Sequence, residues 1–185
     1  MKKVLIATAT TFALMSAAQA APGPYVGLGV TSGKSNIATP AGATNINKAG
    51  NKTSAKIFGG VELDQTFGVE LGYTDFRKAT HSYTSGATTN VVQTDGHATY
   101  LAGKATAPVN EKVSVYGKLG LVNKRLEQSG ALQAKSTEND LYAGIGAEYK
   151  LSNQMAVGLE YERYGKKTAF GQKPDAWSVQ AKYSF

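Results

Sequence analysis

Two histidines and the hydroxyls around them are the first residues in this sequence that could do chemistry. His81 and His97 bracket a stretch that also holds Ser82, Thr84, Ser85 and Asp95. Serine, histidine and carboxylate are the parts of a nucleophile, its base and the group that orients the base. The stretch is polar and reads as a loop. Both histidines are therefore expected to be solvated loop residues, with a pH-sensitive loop as the alternative. Cysteine is absent, which removes disulfides and thiolate metal sites. No metal cluster or phosphate-cradling glycine loop stands out. The expectation is a protein that is not an enzyme and has no metal or cofactor.

The second set of candidates is ionic. Lys56, Glu62, Glu70, Lys104, Lys118, Glu148, Glu160 and Lys182, with Glu162, alternate along the chain with apolar residues. Opposite charges held out of water can pair to fill and register a core, or exchange partners as a gate. Either role needs elements that aim the charges at one another. The period of two identifies those elements as strands. In 175–185, Trp177, Val179, Ala181, Tyr183 and Phe185 share one face, and Ser178, Gln180, Lys182 and Ser184 share the other. The pattern recurs over 26–30, 55–63, 67–74, 97–107, 113–121, 144–150 and 157–162, giving eight strands.

The connections alternate in length. Residues 64–66, 108–112 and 151–154 are tight, whereas 34–52, 78–96, 125–138 and 166–174 are longer and polar. Short periplasmic turns and long extracellular loops are the asymmetry of outer-membrane barrels. The start of the chain agrees. Lys2 and Lys3, the apolar run 4–15 and the small-x-small Ala18-Gln19-Ala20 have the form of a cleaved secretory signal. The expected division is a signal peptide over 1–20 and one barrel domain over 21–185. Cleavage lowers the formal charge from +7 by the two lysines to +5. The remaining chain has no apolar run of about 18 residues, so no transmembrane helix is expected.

Alternation alone also fits a soluble barrel with its apolar face inward. The other face decides the orientation. It carries the charges together with Gly27, Gly29, Gly60, Gly68, Gly72, Gly120, Gly144, Gly146 and Gly158. Water-facing positions would carry long polar side chains instead. Eight strands leave an interior that side chains fill, and glycine makes room there. The Leu, Val and aromatic face then points to lipid. Phe67, Tyr149, Tyr183 and Phe185 are expected at the periplasmic end, and Tyr73, Tyr161 and Trp177 toward the outer end, as aromatic girdles. The fold class is thus an all-β, eight-stranded antiparallel transmembrane β-barrel.

Three stretches carry a family resemblance: Phe58-Gly59-Gly60 through Phe67-Gly68-Val69-Glu70-Leu71-Gly72-Tyr73, then Gly146-Ala147-Glu148-Tyr149, and the closing Tyr183-x-Phe185. With these the chain resembles the small OmpA/OmpX-like, opacity-type outer-membrane barrels of Gram-negative bacteria. The resemblance implies a non-enzymatic barrel in the outer membrane with a structural or surface-interaction role. It also implies that Trp177, Val179, Tyr183 and Phe185 form the signal read by the barrel assembly machinery. Acidic and basic interior residues act as a gate in that family, and Glu70, Lys104, Lys118 and Glu148 match its positions. Gly158 stands where the family often has a basic residue. The alternative function is a narrow porin-like channel for small solutes gated by these charges. Larger relatives add a peptidoglycan-binding domain after the barrel. This chain stops at its last strand, so that function is not expected of it. Lipid A deacylases of similar size carry His-x-Ser-Asn, whereas the strings here are His81-Ser82-Tyr83 and His97-Ala98-Thr99.

The long loops hold more Lys and Arg than Asp and Glu, Lys124 among them. A cationic rim suits an anionic lipopolysaccharide surface, and Arg125, Lys166 and Lys167 are expected to contact lipid phosphates. Further expected partners are outer-membrane lipid and an extracellular ligand on the loops. Nucleic acid is not expected, because the basic residues are dispersed and no binding motif is present.

Overall fold

The computed structural model describes residues 23–36, 44–47, 52–85, 87–131, 133–166 and 171–185. The segment expected as a signal peptide lies outside the described residues. Among the described residues there are nine strands: β1 (Pro24–Asn36), β2 (Thr44–Asn47), β3 (Lys52–Glu62), β4 (Phe67–Ser85), β5 (Thr88–Pro108), β6 (Val113–Gly130), β7 (Ala134–Lys150), β8 (Met155–Tyr164) and β9 (Gly171–Ser184). Eight of them close into an antiparallel barrel in the order β1-β3-β4-β5-β6-β7-β8-β9, with β9 pairing back onto β1. Closure pairs the backbone around the whole ring, which a sheet in lipid requires. The ninth strand, β2, adds to the outer part of β4 through Thr44↔Thr84 and Asn47↔Ser82. Its sequence, Thr-Asn-Ile-Asn, is too short and too polar to alternate visibly.

The strands extend further than the sequence indicates. Within 78–96, expected to be a loop, residues 78–85 and 88–96 belong to β4 and β5, which pair as far as Ser85↔Thr88. Likewise β6 and β7 pair through most of 125–138, as far as Gln128↔Ala134. Above the membrane both faces of a strand can be polar, so hydrogen-bonded pairing continues where the apolar alternation has stopped. One wall, β4 to β7, therefore stands taller than the rest. Gly130 ends β6 with φ +100°, a backbone conformation that glycine adopts without strain.

The three short turns share one construction. In each, the first turn residue donates its N–H to the first residue of the next strand: Leu63 to Phe67, Val109 to Val113 and Leu151 to Met155, all at 2.8 Å. A side-chain oxygen then caps the two N–H groups that close the turn. Asp64 Oδ1 accepts from Thr66 and Phe67, Asn110 Oδ1 from Lys112 and Val113, and Ser152 Oγ from Gln154 and Met155. Asp, Asn and Ser make such turns because their short polar side chains mimic a backbone acceptor. The Phe67 and Thr66 amides hold the Asp64 carboxyl below its usual range.

The barrel is apolar outside and polar inside. Leu28, Ile57, Leu101, Leu121, Leu141, Ile145 and Val179 are exposed on the outer wall, while Lys56, Glu70, Lys118, Glu160 and Glu162 are buried. Phe67, Tyr149, Tyr183 and Phe185 are exposed near the short turns, and Tyr73 and Trp177 are exposed toward the long loops.

Candidate functional site

Interior glycines and interior aromatics are cross-strand partners. Gly27 faces Phe58, Gly60 faces Tyr25, Gly72 faces Tyr100 and Gly146 faces Tyr116. A Cβ at any of these glycines would collide with the ring opposite. The missing side chain on one strand therefore gives each ring its place over the neighbour. Tyr100 and Tyr142 stack with their ring centroids 4.0 Å apart.

These rings space the charges into two tiers. Lys104 and Lys118 are direct neighbours across β5 and β6, an unfavourable pairing unless each finds its own acid. Toward the short turns, Lys182 donates to Glu148 at 2.9 Å and to Glu62 at 3.1 Å. Lys104 joins the same two carboxylates at 3.4 and 3.9 Å. This tier borders a cavity of about 490 Å³ that also touches the short-turn residues. Deeper inside, Lys118 donates to Glu70 at 2.7 Å and to Glu160 at 2.9 Å. Lys56 donates to Glu160 at 3.4 Å and to Glu162.

Tyrosines complete the shells of the buried carboxylates. Tyr25 and Tyr100 donate to Glu70 at 2.9 and 2.5 Å. Tyr116 donates to Glu160 at 3.2 Å, and Tyr142 lies 3.2 Å from Glu160 and 2.6 Å from Glu162. Ser178 donates to Glu162, and Gln180 donates to the Tyr116 hydroxyl. The deep tier thus holds three carboxylates, Glu70, Glu160 and Glu162, against two ammonium groups, Lys56 and Lys118. Lysines also lie over ring faces, Lys104 at 4.7 Å and Lys118 at 5.0 Å from the Tyr116 centroid. Above the tier, Phe76, Ala98, Val122, Leu126, Tyr164 and Ala176 pack into a buried apolar layer.

All eight interior charges named from the sequence face this lumen, together with Glu162. The sequence reading did not identify the tyrosines as their partners. The available signal was parity, because Tyr25, Tyr100, Tyr116, Tyr142 and Tyr164 fall on the charged face and not on the lipid face.

Three residues expected in solvated loops, Lys124, His81 and His97, lie on strands instead. Lys124 is buried, 3.5 Å from Glu138, and donates to the carbonyls of Tyr164 and Lys166 at 3.4 and 3.2 Å. It continues the inward parity of β6 into the tall wall. His81 is buried on β4 with Thr94 Oγ1 3.3 Å from its Nε2. His97 is half-buried on the outer wall and stacks on Tyr73 at 5.6 Å. The two histidines are on opposite faces, so they do not form one constellation.

The remaining sequence candidates are on the outside. Arg125 and Lys166 are exposed near the long-loop end, and the Lys166 N–H donates to Asp140 Oδ2 at 2.8 Å. Lys167 lies outside the described residues. Trp177, Val179, Tyr183 and Phe185 line the outer face of β9 and its end. Trp177 packs on Tyr161 at 5.2 Å, and Tyr183 packs on Phe185 at 5.2 Å.

Comparison with known proteins places this geometry. A family model described as the outer membrane protein beta-barrel domain matches residues 4–185. Outer membrane protein P5 of Haemophilus influenzae is 32% identical over the whole chain, which spans 60% of that protein's length. Outer membrane protein A of Salmonella typhi is 27% identical over 73% of the chain and 41% of its own length. Among solved structures, Neisserial surface protein A (NspA) superposes with a TM-score of 0.60 at 15% identity, covering 90% of this chain and all of that one. Ail of Yersinia pestis superposes at 0.58 and 16% identity, over 89% of this chain and 99% of that one. At these identities the structures speak for the fold alone.

Proposed function

The chain belongs to the outer membrane β-barrel family, and from that premise we propose that it is a non-enzymatic structural and surface-interaction barrel whose lumen is closed by its own side chains. Its location is the outer membrane of a Gram-negative bacterium, in contact with membrane lipid. The observation that carries the proposal is the deep tier, where each carboxylate receives at least three donors. Such saturation leaves little free coordination for a permeating ion, and eight strands leave no room for a water-filled pore. In this reading residues 1–20 direct export and are removed. The outer face of β9, with Trp177, Val179, Tyr183 and Phe185, is what the assembly machinery reads. Arg125, Lys166 and Lys167 lie against lipopolysaccharide phosphates, and the loops offer the surface for an extracellular ligand.

The shared position of Lys118 between Glu70 and Glu160 favours one second reading, a narrow channel gated by exchange of that lysine between acids. Planar-bilayer recording separates the two. The closed barrel gives no steady conductance from protein that is heat-modifiable on gels, and Glu70→Gln leaves it silent. Discrete openings whose frequency changes in Glu70→Gln would overturn the closed reading in favour of the gate.

A further inference from the structure

On the outer wall, β4, β8 and β9 each pass from apolar to polar through one aromatic boundary residue. On β4 the sequence is Leu71, Tyr73, Asp75; on β8 it is Leu159, Tyr161, Arg163; on β9 it is Val179, Trp177, Asp175. An aromatic ring at this boundary suits the headgroup level. The three neighbouring strands β5, β6 and β7 differ. Their boundary residues are Thr99, Asn123 and Asn139, directly paired across the wall. Below them runs a paired row of leucines, Leu71, Leu101, Leu121 and Leu141, exposed by 56–66%. Above them His97, Arg125 and Thr137 are paired in the same way. The leucines, the amides and Asp140 line a groove of about 450 Å³.

The groove has chemistry that a plain lipid wall lacks. Asn123 Nδ2 donates to Asn139 Oδ1 at 2.7 Å. That bond orients both amides and leaves the Asn139 NH2 as donor and the Asn123 carbonyl as acceptor. Asp140 takes the N–H groups of Leu141 and Lys166, both at 2.8 Å. Asp140 pairs with interior Val122 and so has the lumen parity of β7; it fixes the backbone of Lys166 at the long-loop end of the barrel, beyond β8. Arg125 stands one pair above Asn123 and has no carboxylate within ion-pair distance among the described residues. The acids in the row above are partly occupied, with Glu127 held by Lys135 at 3.4 Å.

We propose that the outer wall of β5–β7 is a binding site for one phosphorylated glycolipid of the outer leaflet, with acyl chains on the leucine row, amide or hydroxyl groups of the head on Asn123 and Asn139, and a phosphate at Arg125. The inference deepens the proposed contact between rim cations and lipopolysaccharide and rests on that reading. It adds a defined, uncharged specificity element. A loose cationic rim would attract any anionic surface, whereas paired amides one step below the arginine select a head that donates and accepts hydrogen bonds at that depth. Guanidinium is suited to phosphate through its fork of donors.

The test is native mass spectrometry of the barrel refolded in detergent and titrated with bisphosphorylated lipid A. Lipid A stripped of phosphate and an anionic phospholipid, phosphatidylglycerol, serve as comparators. The variants are Asn123→Leu/Asn139→Leu, which changes no charge, and Arg125→Glu/Lys166→Glu. Heat modifiability on gels confirms that each is folded. Loss of two or so polar contacts is expected to weaken lipid A binding about tenfold in the double leucine variant, with phosphatidylglycerol binding unchanged. Charge reversal is expected to weaken binding of both phosphorylated lipids. If the leucine variant binds lipid A as well as the parent while charge reversal abolishes binding, the site is refuted and the cationic rim stands. If neither variant loses affinity, both fall.

Discussion

Replacing Lys118 by methionine removes one of two ammonium groups from a tier that holds three carboxylates. Lys118 is buried and lies 2.7 Å from Glu70 and 2.9 Å from Glu160. Methionine keeps the stem and much of the packing against Phe58 and Tyr116, so the effect is mainly electrostatic. Breaking a buried pair from one side costs about 3–5 kcal/mol, because the partner charge stays behind without compensation. At a urea slope of roughly 2 kcal/mol/M the unfolding midpoint should fall by about 2 M. The assay uses the single tryptophan. Trp177 faces lipid from β9, so its emission reports loss of membrane contact as the barrel unfolds from vesicles. The charge argument makes a second demand. Adding Glu160→Gln to Lys118→Met restores the original excess of one carboxylate, now Glu70 and Glu162 against Lys56. The double variant should recover about 2 kcal/mol relative to the sum of the single variants. A midpoint within about 0.5 M of the parent for Lys118→Met, or strict additivity in the double variant, would refute the tier as a mutually compensated charge set.

Gly72→Ala should destabilise by about 1–3 kcal/mol, because its Cβ would enter the Tyr100 ring and overpack the lumen. Gly103→Ala, whose Cβ meets only the Leu119 carbonyl oxygen at 3.8 Å, should stay within about 0.5 kcal/mol; equal urea midpoints for the two would contradict the packing account. Asp64 provides a pH signature at the short-turn end, since its folded carboxyl titrates below the unfolded value of about 3.9. Its contribution is fully present about one unit above that value and lost as pH falls through the folded one, so the stability difference between parent and Asp64→Ala should be constant above about pH 5 and shrink progressively below it. A difference that does not vary with pH would remove the charged cap.

The barrel was legible wherever one face met lipid. Val26-Gly27-Leu28-Gly29-Val30 and Trp177 to Phe185 alternate because their outward residues are solvated by hydrocarbon and their inward residues are packed in a narrow lumen. The interior charges were legible for the same reason, as ionisable groups at alternate positions of apolar segments. Once a strand rises out of the membrane, both of its faces can be polar. Thr80, His81, Ser82, Tyr83 and Thr84 then carry no apolar alternation, although they pair with β5 throughout. His81 and Lys124 were misplaced there, since a polar residue on the inner side of a tall wall looks in sequence like a polar residue in a loop. The tyrosine partners were obscured differently. Tyrosine belongs equally to a lipid girdle and to a polar core, and only parity with Lys118 or Glu148 assigns Tyr116 and Tyr142 to the inside.

The polar lumen has a physical reason beyond filling space. Replacing buried ion pairs by apolar groups of similar size is often neutral or stabilising in a finished fold, so stability alone would not favour Glu70, Lys118 and Glu160 over leucines. An apolar interior would, however, make every strand apolar on both faces. Segments such as 113–121 would become uninterrupted apolar runs, prone to strand stacking before the barrel closes. Charges at alternate positions keep each unpaired strand polar on one side. Because their partners come from other strands, as in Lys56 with Glu162 and Glu70 with Lys118, their burial is compensated only when β3, β4, β6 and β8 stand in the native register. A one-residue slip would turn these charges into lipid. The network thus contributes less to net stability than to the penalty on every incorrect closure.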